Sequence, residues 1–139
     1  MSLPDLMRTE VVTCAPETPV YDVATAMRDE TVGCVVVVVE DRPVGIVTDR
    51  DVTVRLVADD LDAGEMTAGD VMTEAPRTVG VDTGVFDLAV TMNEATVRRM
   101  PVVDDGALVG IVTLDDLLVL LGDELETIAG VVASESPAA

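Results

Sequence analysis

The segment Gly45-Ile46-Val47-Thr48-Asp49-Arg50-Asp51 returns at Gly110-Ile111-Val112-Thr113-Leu114-Asp115-Asp116, 65 residues further along the chain. The same shift lays Asp5 on Asp70, Met7 on Met72, Thr13 on Thr78, Asp22 on Asp87 and Met27 on Met92. From residue 5 to residue 51 no gap is needed, and 18 of the 47 positions are identical. A solitary motif arises by chance, whereas two in register inside a repeat mark a duplicated structural unit. With 139 residues in all, the two copies are expected to share one core rather than fold apart. Copy one with an acidic linker is expected over 1–65, copy two over 66–133 and a loose tail over 134–139.

Each copy reads as strand, helix, strand, strand, helix. Residues 11–13 form a brief β-rich run, and Thr18-Pro19 supplies an N-cap with a first-turn proline. Val20, Val23, Ala24 and Met27 then mark one helical face, repeated by Val85, Leu88, Ala89 and Met92. The five valines at 35–39 predict a buried strand, and Asp105-Gly106 a hairpin turn in copy two. A closing helix is predicted over 49–58 and another from Leu114. The second carries Leu117, Leu118, Leu121, Leu125 and Ile128 on one side, a stripe read either as core packing or as a dimer surface.

The interior is unusual. There are 28 valines, and the only aromatic residues, Tyr21 and Phe86, share one repeat position. Valine packs well on pleated surfaces, so a sheet-rich core is expected. The surface is strongly acidic: 27 Asp and Glu against 8 Arg, no Lys, and a net charge of −19. Such a charge repels phosphate backbones and anionic lipid, which argues against nucleic-acid and membrane partners. It also points to work in concentrated salt, as in a halophile. Cys14 and Cys34 lack CxxC spacing and there is no His, which disfavours zinc or iron–sulfur ligation and suggests two buried thiols in a reducing compartment. No signal-peptide pattern opens the sequence, and the longest apolar runs fall far below the roughly 20 residues that cross a bilayer, so a cytoplasmic location is expected.

The duplicated Gly-apolar-apolar-Thr-x-x-Asp carries the chemistry. A helix N-terminus offers unpaired N–H groups to an anion, and a threonine at its cap adds a hydroxyl. A carboxylate three residues later accepts two hydrogen bonds, the demand of a ribose diol. The glycine ahead of them lets a ligand approach the backbone. Thr48 with Asp51, and Thr113 with Asp116, are thereby candidates to grip a nucleoside. The same spacing is also that of a capping box, and Thr67-Ala68-Gly69-Asp70, without the Gly-Ile-Val lead-in, reads as a cap alone.

The whole pattern, with Val-Gly-x-Val-Val-Val or Arg-Arg-Met-Pro-Val-Val ahead of Gly-Ile-Val-Thr-x-x-Asp, resembles the CBS domain family. Two tandem copies resemble a CBS pair, or Bateman module, across nearly the whole chain. The resemblance implies an α+β (mixed α/β) fold of two β-α-β-β-α repeats packed sheet to sheet with pseudo-two-fold symmetry, and clefts that take adenosine ligands. By position it implies phosphate or ribose roles for Thr48 and Thr113 and ribose roles for Asp51 and Asp116. It implies base or phosphate roles for Gly33, Cys34, Arg98 and Arg99, and base-bordering roles for Thr13 and Thr78. Arg50 is placed either to assist its motif or to pair with Asp49. Because Gly33-Cys34 stands where copy two has Arg98-Arg99, the clefts are not equivalent.

The expected function is a regulatory sensor of AMP, ADP or ATP that transmits occupancy to an unknown protein partner, working as a homodimer and needing no cofactor beyond the nucleotide. A ligand-independent dimerisation module, or a sensor of S-adenosylmethionine or NAD, is the alternative. An enzyme is disfavoured, because no nucleophile sits beside a visible base and no Gly-rich Lys loop is present.

Overall fold

The structure, a computed structural model, describes residues 2–135. Copy one holds a helical turn α1 (Leu3–Leu6), strand β1 (Thr13–Cys14), helix α2 (Val20–Glu30) and the hairpin β2 (Cys34–Val39) with β3 (Arg42–Thr48). Its closing helix starts as α3 (Asp49–Val52) and widens into a π-helical turn, Thr53–Val57. Copy two follows with α4 (Ala68–Val71), β4 (Thr73–Glu74), β5 (Val79–Gly80), α5 (Val85–Ala95), β6 (Arg99–Asp104), β7 (Ala107–Thr113) and α6 (Leu114–Glu135). The expected β-α-β-β-α unit is present twice, each time preceded by a helical turn that periodicity did not show.

Local chemistry explains most of these elements. Val20, Val23 and Met27 bury one face of α2, and Leu88 and Met92 one face of α5. In the first sheet β1 runs parallel to β2, β2 antiparallel to β3, and β3 antiparallel to β4; in the second, β5 runs parallel to β6 and β6 antiparallel to β7. Thr18 does not cap α2 as expected. Its hydroxyl accepts instead from the Ala15 amide at 3.1 Å. The first α2 donors, Val20 N–H and Tyr21 N–H, go to the carbonyls of Met66 and Ala63. The segment leading into copy two thus satisfies a helix end that a local side chain was expected to satisfy.

That exchange is general. Leu3 of α1 is fully buried in the core of copy two, with Val79, Leu88, Met100, Val102, Val112 and Leu117. Ala68 and Val71 of α4 are buried in the core of copy one, with Val23, Val35, Val37 and Val47. The backbones follow: Arg8 bridges Ile111 of β7 with two hydrogen bonds of 2.9 and 3.0 Å, and β4 pairs its Thr73 with Ile46 of β3. The copies therefore do not share a single core, as length suggested. They have one core each, and each core is completed by the other copy's lead-in, while β3 and β7 lie side by side across the interface.

The repeated glycine has its explanation here. A Cβ on Gly45 would collide with the Met72 thioether, and one on Gly110 would stand 2.6 Å from the Met7 sulfur and 3.0 Å from the Arg8 carbonyl. Gly45 and Gly110 admit the methionine of the exchanged lead-in rather than a ligand, which corrects the role expected for them. Met7 and Met72 occupy one repeat position, so one packing solution is used twice.

The closing helices differ. Leu117 and Leu120 of α6 are buried, whereas Leu118, Leu121, Leu125 and Ile128 are exposed, so the expected stripe divides at Leu117. The helix continues to Glu135 through the first two residues of the expected tail; positions 136–139 lie outside the described residues. Cys14 and Cys34 are free and half-buried rather than fully buried, and burial raises both thiol pKa values above the ordinary range. Among the described residues no helix is long and apolar enough to cross a membrane.

Candidate functional site

Two clefts flank the interface, each built from the Thr-x-x-Asp end of one copy and the start of the middle strand of the other. The first encloses about 270 Å³. Copy one supplies Ile46, Thr48, Arg50 and Asp51, and copy two supplies Val97, Arg98 and Arg99. The second encloses about 260 Å³ and reverses the roles, with Ile111, Thr113 and Asp115 from copy two and Val32, Gly33 and Cys34 from copy one. Thr73 lines the first cleft where its repeat equivalent Arg8 lines the second. The pseudo-two-fold axis thus maps one set of lining residues onto the other.

Backbone bonds hold these pieces in place. The Asp49 amide donates to the Gly33 carbonyl at 3.0 Å, and the Leu114 amide donates to the Arg98 carbonyl at 2.7 Å. Each helix that begins at a Thr-x-x-Asp is thereby tied to the residue just ahead of the middle strand of its own copy, with Cys34 facing Thr48 and Arg99 facing Thr113 in the hairpin registers.

The two carboxylates are held differently. Asp51 closes a capping box: its Oδ2 accepts from the Thr48 amide at 2.9 Å, and its own amide donates to the Thr48 hydroxyl at 3.1 Å. Its Oδ1 lies 3.8 Å from Arg55 Nε, a loose contact that leaves this oxygen approachable. Asp116 is gripped from outside, by Arg8 Nε at 3.2 Å on Oδ2 and Arg8 Nη2 at 3.1 Å on Oδ1. Arg8, with help from the Thr113 hydroxyl and amide, holds the Asp116 carboxyl below its ordinary range and is itself raised in return. The capping alternative is realised in part, and both clefts remain open.

Charge distinguishes the clefts further. Three of the eight arginines, Arg50, Arg98 and Arg99, line the first, beside the carboxylates of Asp49 and Asp51. Glu10 and Asp115 line the second, where Arg8 is already committed to Asp116. In a chain of net charge −19, the first cleft is a local concentration of cations.

The residues singled out from sequence fall as follows. Thr48, Arg50, Asp51, Arg98 and Arg99 come together in the first cleft, and Gly33, Cys34, Thr113 and Arg99 in the second. Asp116 stands behind the second cleft, in the hands of Arg8. Thr13 lies elsewhere, in a groove with Val38, Asp41 and Leu108. Thr78 is half-buried just ahead of β5 and lines neither cleft. Val12 and Val11, one and two residues before Thr13, border the second cleft beside Arg8 and Glu10 of the lead-in. Sequence reasoning missed Arg8, Val97 and Thr73, because the lead-in exchange that brings Arg8 and Thr73 to the clefts leaves no periodic trace. The one available signal was that Arg8 is among only eight cations.

The Thr67–Asp70 element behaves as a cap, with the Asp70 carboxylate accepting from the Thr67 amide at 2.9 Å and hydroxyl at 3.0 Å. Ser2 and Asp5 make the same box at α1.

Comparison with known proteins agrees with this architecture. The CBS domain model matches residues 4–58 and 68–123. An uncharacterized protein of Methanopyrus kandleri is 37% identical over 120 residues, covering 85% of this chain, which spans 61% of that protein's length. The CBS domain-containing protein YhcV of Bacillus subtilis is 34% identical over 118 residues, covering 85% of this chain and 84% of that one. Among solved structures, a CBS domain protein of Pyrobaculum aerophilum complexed with AMP superposes with a TM-score of 0.78 at 27% identity, covering 88% of this chain and 99% of its own.

Proposed function

The chain belongs to the CBS domain family, and on that premise we propose that it is a non-catalytic regulatory module that takes an adenine nucleotide, AMP, ADP or ATP, in the first cleft. The observation that carries this reading is the convergence of Thr48 and Asp51 of copy one with Arg98 and Arg99 of copy two around one cavity. Asp51 Oδ1 accepts from the ribose hydroxyls, and Thr48 with the arginines receives the phosphates, for which forked guanidinium donors are suited. The apolar walls at Ile46 and Val97 suit the purine. The AMP complex of the Pyrobaculum relative supports the ligand class.

Because both copies line the cleft, a ligand there favours one relative arrangement of the repeats, and only such a preference transmits occupancy to a partner. The exposed side of α6, with Leu118, Leu121, Leu125 and Ile128, is the surface through which two copies pair.

The capping geometry of Asp51 favours a second reading, a ligand-independent pairing module. Calorimetry at high salt separates the two. Heat with AMP, ADP or ATP that Asp51→Ala weakens by about 1–3 kcal/mol supports the sensor. No heat with any of them at millimolar concentration supports the pairing module, and heat only with S-adenosylmethionine or NAD reassigns the ligand.

A further inference from the structure

Of the residues lining the two clefts, Arg99 alone belongs to both. It rises from the start of β6 and lays its guanidinium across Gly33, where a Cβ would stand 2.5 Å from one of its terminal nitrogens. The repeat equivalent of Gly33 is Arg98 and that of Arg99 is Cys34. The duplication has therefore diverged so that one copy supplies a long cation and the other the gap that receives it.

The arginines around the clefts divide by their partners. Arg8, Arg55 and Arg98 each meet a carboxylate, at Asp116, Asp51 and Asp115. Arg99 is half-buried, and its guanidinium shares the space over Gly33 with the Asp49 carboxylate and lies near the Cys34 thiol. A cation partly removed from water and facing two open clefts is placed to meet an anion from outside.

We propose that Arg99 is a single anion-binding group shared by the two clefts, so that a phosphorylated ligand held in one is bound at the expense of the other. This rests on the reading of the clefts as nucleotide sites. A guanidinium turns its fork toward one anion at a time. With Arg99 drawn into the first cleft, the second keeps Arg8, already occupied by Asp116, together with the carboxylates of Glu10 and Asp115. That remainder repels phosphate. With the first cleft empty, Arg99 is available to the second. Occupancy of the two sites is then negatively coupled, and by linkage each weakens the other by the same factor.

The test is calorimetric titration with ATP in molar KCl of the wild type, of Asp51→Ala, and of both in an Arg99→Gln background. Asp51→Ala disables the first cleft without touching Arg99; should it fail to fold, Asp51→Asn, whose amide oxygen still accepts from the Thr48 amide, replaces it. The expected result is one strong and one weak or undetected event in the wild type. In Asp51→Ala the surviving event should tighten about fivefold or more relative to the weak wild-type event, a typical coupling. In the Arg99→Gln background the Asp51 substitution should leave that event unchanged. Equal affinity of the second cleft in wild type and Asp51→Ala, loss of all binding in Asp51→Ala, or an enhancement that persists without Arg99 each overturns the sharing. No heat from the wild type overturns the nucleotide reading and this inference together, whereas binding without coupling overturns this inference alone.

Discussion

Arg8 and Asp116, 108 residues apart in the chain, are joined by two side-by-side hydrogen bonds of 3.2 and 3.1 Å. The pair ties the lead-in of copy one to the closing helix of copy two. It reinforces the exchange that buries Leu3 in the second core, and it occupies the carboxylate that the repeat offers to the second cleft.

Its stability should depend on acid. The Asp116 carboxyl is held below its ordinary value of 3.8, first by Arg8. A group whose folded pKa is depressed contributes stability that is complete above its unfolded pKa and is lost as pH falls through the folded value. With Arg8 well exposed, solvent screening limits the pair to about 0.5–1 kcal/mol. Melting of the wild type and Asp116→Asn should therefore differ near neutral pH and converge as the pH falls below the ordinary carboxyl value of 3.8. An unchanged difference at low pH would sink this account.

The glycine–methionine contacts predict a double-mutant cycle. Gly45→Ala forces a Cβ onto the Met72 side chain, an overpacking that costs about 1–3 kcal/mol. In a Met72→Ala background the same glycine substitution should cost much less, since the colliding atoms are gone. Denaturant unfolding of the four proteins measures the coupling, and additive effects would refute it.

Salt should act on the whole molecule. A net charge of −19 repels itself at distances that molar salt screens. The melting midpoint is expected to rise by about 5 °C or more from dilute buffer to 2 M KCl. A flat response by calorimetry would show that local pairing already offsets the repulsion.

The exposed side of α6 should matter for assembly and not for folding. Leu125 and Ile128 are 67% and 59% exposed, so Leu125→Gln with Ile128→Gln should change stability by no more than about 0.5 kcal/mol. Sedimentation at high salt should show that this pair of substitutions shifts dimers to monomers. An unaltered mass would remove α6 from the interface.

Several features were legible before any coordinates. The hairpins β2–β3 and β6–β7 follow from valine runs and turn residues, whose preferences act within a few positions. The non-equivalence of the clefts was visible in Gly33-Cys34 against Arg98-Arg99. Thr13 faces a groove away from the clefts while Val12 borders the second, because a one-residue shift along a strand turns a side chain to the other face, and the short β1 carries no alternation strong enough to settle it. The capping of α2 was misassigned because its donors are satisfied by carbonyls more than 40 positions away, at Ala63 and Met66.

What the order of residues dictates unaided is the duplicated unit, its strands and helices, and the chemical types brought to each motif, since all of these rest on local propensity and on repetition. Only the folded chain decides that each core is closed by the other copy's lead-in, that Gly45 and Gly110 make room for methionines, and that Arg99 lies between the clefts while Arg8 claims Asp116. Those outcomes depend on packing and charge pairing between residues as far apart as Gly45 and Met72, 27 positions, and Arg8 and Asp116, 108 positions, and such contacts leave no mark in a periodicity.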